Sequence, residues 1–409
     1  FTANRQVGKL QITAGNYQFN NIGSSQFELT INSNADNAFL VSGASTVFRL
    51  AGLHFNAVNG GGNIGAGSRM HLLGGHPRGA RLSLRGLQVD GELNVESGAQ
   101  VSLNSQLSGG TLSIGSGAVN VTGSGSSLSI SGSGFGEGGE LYIGSPTGGA
   151  LVVDAGGQVT SGNSIVGFAQ ILDNNDSGSA TITGAGSKWT TSELTVGYIT
   201  GQGTLTVAAG GEVVSDNGYL GYIANGNATV QGVGSKWTIS NDLYIGVQGG
   251  TGTLHVENGG EVSSVDAYLG SSAGAGTVIV TGAGSKWANS GDLKMDNGTL
   301  NVEAGGEASA VNAAFTSQAG GTSSINVTGT GSKLNLQGIM LLGGAGTTSL
   351  NVQSGGEVSG AIGSFIAGTG PSTATVTGIG SKWNTGTLGF TLGRLNVEAG
   401  GEVYSTDAT

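Results

Sequence analysis

Cysteine is absent from this 409-residue chain, proline occurs 3 times, and charged residues make up only 10%. Without cysteine there are no disulfide staples, so an extracellular existence would rest on packing alone. A cysteine-free chain also fits export through an oxidising periplasm. No run of about 18 apolar residues is present, which excludes a membrane-spanning helix. Phe1-Thr2-Ala3-Asn4-Arg5 is not followed by the apolar core of a signal peptide. A cytosolic chain, or a mature fragment of something longer, is therefore expected. Basic residues are scarce, with 14 Lys and Arg against 25 Asp and Glu. That acidic balance argues against general nucleic-acid binding, which needs a basic footprint.

Glycine, by contrast, is abundant at 83 residues. Composition alone would suit a disordered chain, but short Val, Ile and Leu-rich pieces recur at regular intervals, and disordered sequences lack that rhythm. The clearest unit begins at Gly184-Ala185-Gly186-Ser187-Lys188-Trp189. It continues through Leu205-Thr206-Val207 and Gly210-Gly211-Glu212-Val213, and starts again at Gly232-Val233-Gly234-Ser235-Lys236-Trp237. Leu93-Asn94-Val95, Leu151-Val152-Val153, Leu205-Thr206-Val207, Leu254-His255-Val256, Leu300-Asn301-Val302, Leu350-Asn351-Val352 and Leu395-Asn396-Val397 are equivalent. Five or six strand-like pieces fall in each unit of roughly 49 residues, separated by glycine turns. That is two coils of about 24 residues with three strands each.

The expected fold is therefore all-β: a right-handed parallel β-helix, a solenoid of about sixteen coils. Helical solenoids are excluded because nothing shows a 3.6-residue period. A propeller is the second choice, since blades of about 40–50 residues have four longer antiparallel strands. Residues 1–60, rich in aromatics, read as an N-terminal cap or irregular first coils. Residues 61–90 read as basic, loop-rich coils, and 91–409 as a single continuous repetitive solenoid. Asn94, Asn301, Asn351 and Asn396 share a slot where amide ladders form. The Gly-Gly corners, such as Gly305-Gly306, are expected to supply positive φ.

The Gly-Ser-Lys-Trp and Leu-x-Val-x-x-Gly-Gly-x-Val pattern resembles the passenger repeats of bacterial autotransporter (type V secretion) adhesins, over about residues 91–409 and most closely from 184 onward. The resemblance implies a β-helix on the surface of a Gram-negative cell, anchored in or secreted from its outer membrane by a C-terminal β-barrel. Strands of that barrel are not seen in this sequence. It further implies cell adhesion and virulence: binding to host cell-surface glycans of glycosaminoglycan type or to a fibronectin-like matrix protein, or self-association into aggregates and biofilm. No cofactor, metal or catalytic residue is implied.

Residue by residue, two readings stand side by side. Trp189, Trp237, Trp287 and Trp383 form either an exposed sugar-stacking ladder or an inward core position. Leu128 and Leu334 share the slot, which favours the core. Lys188, Lys236, Lys286, Lys333 and Lys382 suit repeated anionic groups on a polysaccharide, or are solvated turn residues. Glu212, Glu261, Glu307, Glu357 and Glu402 read as a like-charged column that discourages lateral pairing, or as a calcium or basic-partner site. Asp173 to Gly178 starts like an EF-hand but has Gly184 at the twelfth position, and Asp176-Ser177-Gly178-Ser179 has no triad around it; both read as a lengthened loop. A polysaccharide-degrading β-helix enzyme has a low claim, since no unique carboxylate cluster stands in the repeats. The one non-repetitive ionic group, Arg69, Arg78, Arg81 and Arg85, suits sulfate and carboxylate on an acidic glycan or other acidic partner, or is a solvated loop with no partner.

Overall fold

The computed structural model describes the chain apart from residues 1–4, 8–9, 13–15, 21–27, 32–38, 42–45, 52–53, 67, 74–79, 106–109, 133–138, 145–147, 169–175, 272 and 409. One circuit shows why the sequence coils. In Gly298–Glu303, Leu300 and Val302 are buried, while Thr299 and Asn301 lie on the outer side. A corner through Ala304 and Gly305 leads into the second strand, Glu307–Ala310. A bend at Val311 and Asn312 leads into the third, Ala313–Ser317, and a last turn into Thr322–Thr328. That strand lies on the first in parallel register, with Leu300 beside Ile325 and Asn301 beside Asn326. From Leu254 the equivalent residues are Val278, Leu300, Ile325, Leu350, Ala374 and Leu395, at steps of 24, 22, 25, 25, 24 and 21.

The chain is a right-handed parallel β-helix with three short strands per coil. Parallel ladders exclude the antiparallel blades of a propeller. Its residues form two compact units: Phe1–Leu194 with Tyr198–Thr206 and Gly210–Ser215, and Asp216–Thr409 with Thr195–Gly197 and Val207–Ala209. In the first unit, parallel pairing begins with Arg5–Val7 on Leu29 to Ile31, and Asn16–Asn20 lies on Val47–Ala51.

In the tryptophan column a smaller residue stands in the coil between the large ones, which gives that column a two-coil period. In the second strand of the second unit the inward column runs Trp237, Val262, Trp287, Ala308, Leu334, Val358, Trp383 and Val403. All four tryptophans are buried to within 1% of complete, so the core reading of the Trp column holds. Strands in a ladder sit about 4.8 Å apart, and a dense interior accommodates an indole at that spacing when Val, Ala or Leu lies above and below it. Trp189 donates from Nε1 to Ser161 Oγ at 2.9 Å.

The corner after each Leu-x-Val strand works differently from the sequence expectation. Positive φ is supplied by Ala304 (50°) and Gly305 (85°), one residue earlier than Gly-Gly. Gly306 is there for space: a Cβ on it would lie 2.4 Å from the Val280 carbonyl oxygen. In the alternate coil the serine of Gly-Ser-Lys-Trp ties the two kinds of corner together. Ser285 is fully buried; its hydroxyl donates to the Thr281 carbonyl at 2.7 Å and accepts from Gly259 N–H at 3.0 Å. Ser332 and Ser381 repeat the arrangement on Gly305 and Gly355.

Removing that hydroxyl leaves the Gly259 N–H buried with no acceptor. Ser285→Ala is expected to destabilise the fold by about 1–3 kcal/mol, and Trp287→Ala by about 3–5 kcal/mol through the cavity it leaves. Urea unfolding followed by circular dichroism measures both, and Ser290→Ala, at a more exposed hydroxyl, serves as the control.

Candidate binding surface

The outward position at the start of each second strand forms one column. In the first unit it runs His54, Arg81, Gln100, Ser127, Gln158 and Lys188. In the second it runs Lys236, Glu261, Lys286, Glu307, Lys333, Glu357, Lys382 and Glu402. The glutamates and lysines therefore do not form two like-charged columns, which corrects the reading of Glu212 and its equivalents. They interleave with alternating sign. Each carboxylate belongs to a Gly-Gly coil and each ammonium to a Gly-Ser coil, and the coils alternate. Lys236 Nζ lies 3.1 Å from Glu261 Oε2, and Lys188 Nζ 3.6 Å from Glu212 Oε2, with all four side chains well exposed. Pairs this exposed contribute little to stability, but they cancel the field that a row of lysines would present.

The arginines divide between strands. Arg69 starts a first strand, Arg69–Leu73, and its Nε pairs with Glu92 Oε2 at 2.7 Å. It lines a groove of about 630 Å³ together with Asp90, Glu92, Ser68 and Ser116, so acidic groups already surround it. Arg81 starts a second strand, Arg81–Val89, is exposed, and has His54 and Gln100 as column neighbours rather than carboxylates. Arg85 lies on the same strand, its side chain outside the description, and Arg78 lies outside the described residues.

Polar ladders cover the outer face of the first strands. Asn120 Nδ2 donates to Asn94 Oδ1 at 2.8 Å, Asn326 to Asn301 and Asn351 to Asn326 at the same distance. The expected amide ladder is present in two short pieces: Asn326 bridges Asn301 and Asn351, and Asn94 pairs with Asn120, beyond which Val152 follows, whereas Asn396 pairs in register with Thr375. Of the loop expected at Asp173–Gly178, Asp173 to Asn175 lie outside the described residues, and Ser177 starts the strand Ser177–Thr183.

The sequence reading missed a fourth column. Tyr219, Tyr244 and Tyr268 take the same outward position of the third strand in three successive coils. Their rings stack with centroids 5.0 and 4.7 Å apart and planes 7° and 11° from parallel. Tyr244 Oη donates to Asp242 at 3.1 Å and Tyr268 Oη to Asp266 at 3.4 Å. Lys294, next in the column, lies 4.7 Å from the Tyr268 ring centre and 2.8 Å from Asp266 Oδ2. Its hydrogen bond to Asp266 raises the Lys294 pKa, and the same bond lowers that of Asp266. Steps of 25 and 24 residues, one coil rather than one repeat, were the signal available in the sequence.

Burial, followed by the hydrogen bond to Asp242 and its charge, pushes the Tyr244 phenol up from 10.0 to about 12. A phenol whose folded pKa is raised contributes stability that is complete below its unfolded pKa and lost as pH rises through the folded one. Absorbance titration near 295 nm should show one tyrosine ionising near pH 12, and Tyr244→Phe should remove it. The same substitution should remove part of the stability lost between pH 10 and 12.

No protein-family model matches the chain, and no curated protein matches it. Among solved structures, the chain is similar to a TibC-catalysed hyper-glycosylated TibA55-350 fragment, with 17% identity and a TM-score of 0.47 over 85% of this chain and 97% of that one.

Proposed function

We propose that the chain is a non-enzymatic adhesin displayed on a bacterial surface, as the passenger of an autotransporter, and that it binds an acidic host glycan through the basic stretch at Arg81. The observation that carries this reading is the setting of Arg81. It is an exposed guanidinium in the charged column, with His54 and Gln100 in register on either side. Its register partners carry no carboxylate, and planar guanidinium suits sulfate and carboxylate. Arg78 and Arg85, close by in sequence, add to the same stretch. Arg69 has a weaker claim because Glu92 already holds it. Lys188, Lys236 and Lys286 are weaker for the same reason, each standing in register with glutamate or, for Lys188, paired with Glu212. The repeat resemblance to autotransporter adhesins supports the surface location and a fibronectin-like or other matrix protein as a further partner.

Self-association is a second reading, favoured by the alternating column. A row in which sign changes at each coil is self-complementary: two copies laid antiparallel, or shifted by one coil, bring ammonium opposite carboxylate along the row. Such pairing is screened by salt.

Arg81→Glu is expected to weaken heparin binding about tenfold, the size of one charge-assisted contact, with unchanged circular dichroism. Undiminished binding removes Arg81 from the site. Analytical ultracentrifugation over a concentration series separates the second reading: a monomer at all concentrations in low salt counts against it, and a dimer that dissociates in high salt supports it.

A further inference from the structure

The tyrosine column is local, unlike the charged one: the next outward residues are Lys294, Ala314, Leu341 and Phe365. Beside it, the turns that end the third strands border an open-sided cavity of about 520 Å³ lined by the three stacked tyrosines with Tyr222, Val247 and Gln248. Tyr222 stands edge-on to Tyr219, with planes 85° apart. The volume falls in the range of small-ligand pockets, about 300–1,000 Å³. Gln248 holds φ 54°, a left-handed conformation that glycine adopts more easily. Gln248 and Gly249 (φ 94°) make the same left-handed corner as Ala304 and Gly305, and that corner sets Gln248 in the cavity lining.

We propose that this cavity binds an uncharged saccharide, at a site separate from the basic stretch. Three physical features select that ligand class. First, the rings stack on one another, so the cavity meets their edges and phenol oxygens rather than bare faces. An apolar ring body with a polar tip matches the mixed C–H and hydroxyl surface of a sugar. The Tyr244 proton is committed to Asp242, which leaves its oxygen free to accept from a sugar hydroxyl, and Gln248 both donates and accepts. Second, charge disfavours an anion. Among the described residues the lining contains no Lys or Arg, the nearby Lys294 ammonium is paired with Asp266, and the Asp242 carboxylate accepts from Tyr244. Third, the stacking disfavours a cation. A cation binds the electron-rich ring face, and of the six faces of the stack four cover one another, one carries Lys294, and Tyr219 has Tyr222 against it at 85°.

The test is a binding array of the purified chain against neutral oligosaccharides ending in hexose or N-acetylhexosamine, with heparin and choline on the same array. Hits are quantified by titration calorimetry. The expected result is millimolar or tighter binding of at least one neutral oligosaccharide, weakened at least about tenfold by Tyr244→Ala and by Gln248→Gly. Gln248→Gly eases the backbone while deleting the amide, so its loss of binding is not loss of folding. Arg81→Glu should leave the neutral-sugar titration unchanged while lowering heparin binding, which distinguishes this site from the acidic-glycan site. No neutral ligand, choline as the sole ligand, or a neutral ligand that survives both substitutions overturns the proposal.

Discussion

A side chain in this fold has its nearest neighbour one coil away, at the same point of the circuit and about 4.8 Å distant. That distance is shorter than the width of an indole and short enough for two like charges to repel. The columns meet this constraint in different ways. In the core, Trp alternates with Val or Ala, or gives way to Leu334. On the surface, Lys alternates with Glu. Both alternations have the same period, two coils, which is the length of the sequence repeat.

Where like stacks on like, the chemistry of the group allows it. An amide carries a donor and an acceptor, so Asn301, Asn326 and Asn351 form a chain of equal 2.8 Å bonds. Phenol rings tolerate parallel stacking, and Tyr219, Tyr244 and Tyr268 take it with their hydroxyls turned to carboxylates or other partners. Corners follow the same logic at backbone level. Ser285 satisfies an N–H of the corner below and a carbonyl of its own, so a buried turn carries no orphaned donor at that point.

These solutions also set what the surface offers a ligand. The alternating column cancels its own field, which is why the proposed acidic-glycan site rests on Arg81, whose register partners are His54 and Gln100. The tyrosine cavity, with its ammonium already paired to a carboxylate, offers edges, hydroxyls and an amide instead. The two proposed sites thus differ in the ligand chemistry they would take, one acidic and one uncharged. The difference comes from who stands one coil away rather than from residue type.

Much of the architecture was legible in the sequence. Glycine punctuation and the Leu-x-Val alternation gave three strands per coil and two coils per repeat. Leu334 in a Trp slot marked that slot as core, because Leu replaces a core Trp and not a sugar platform. What the sequence could not express was register between adjacent coils. Lys286 and Glu307 are 21 residues apart along the chain and belong to different motifs, so each motif read alone suggested a uniform column. Only stacking makes them neighbours. The tyrosines, 25 and 24 residues apart, were hidden for the same reason, their spacing being one coil when the eye followed the two-coil repeat. The pattern of apolar residues and glycines determined the coil, because burial and backbone freedom act within a few residues. Which charges cancel and which aromatics stack was decided by tertiary structure, because those interactions act across coils at 4.8 Å.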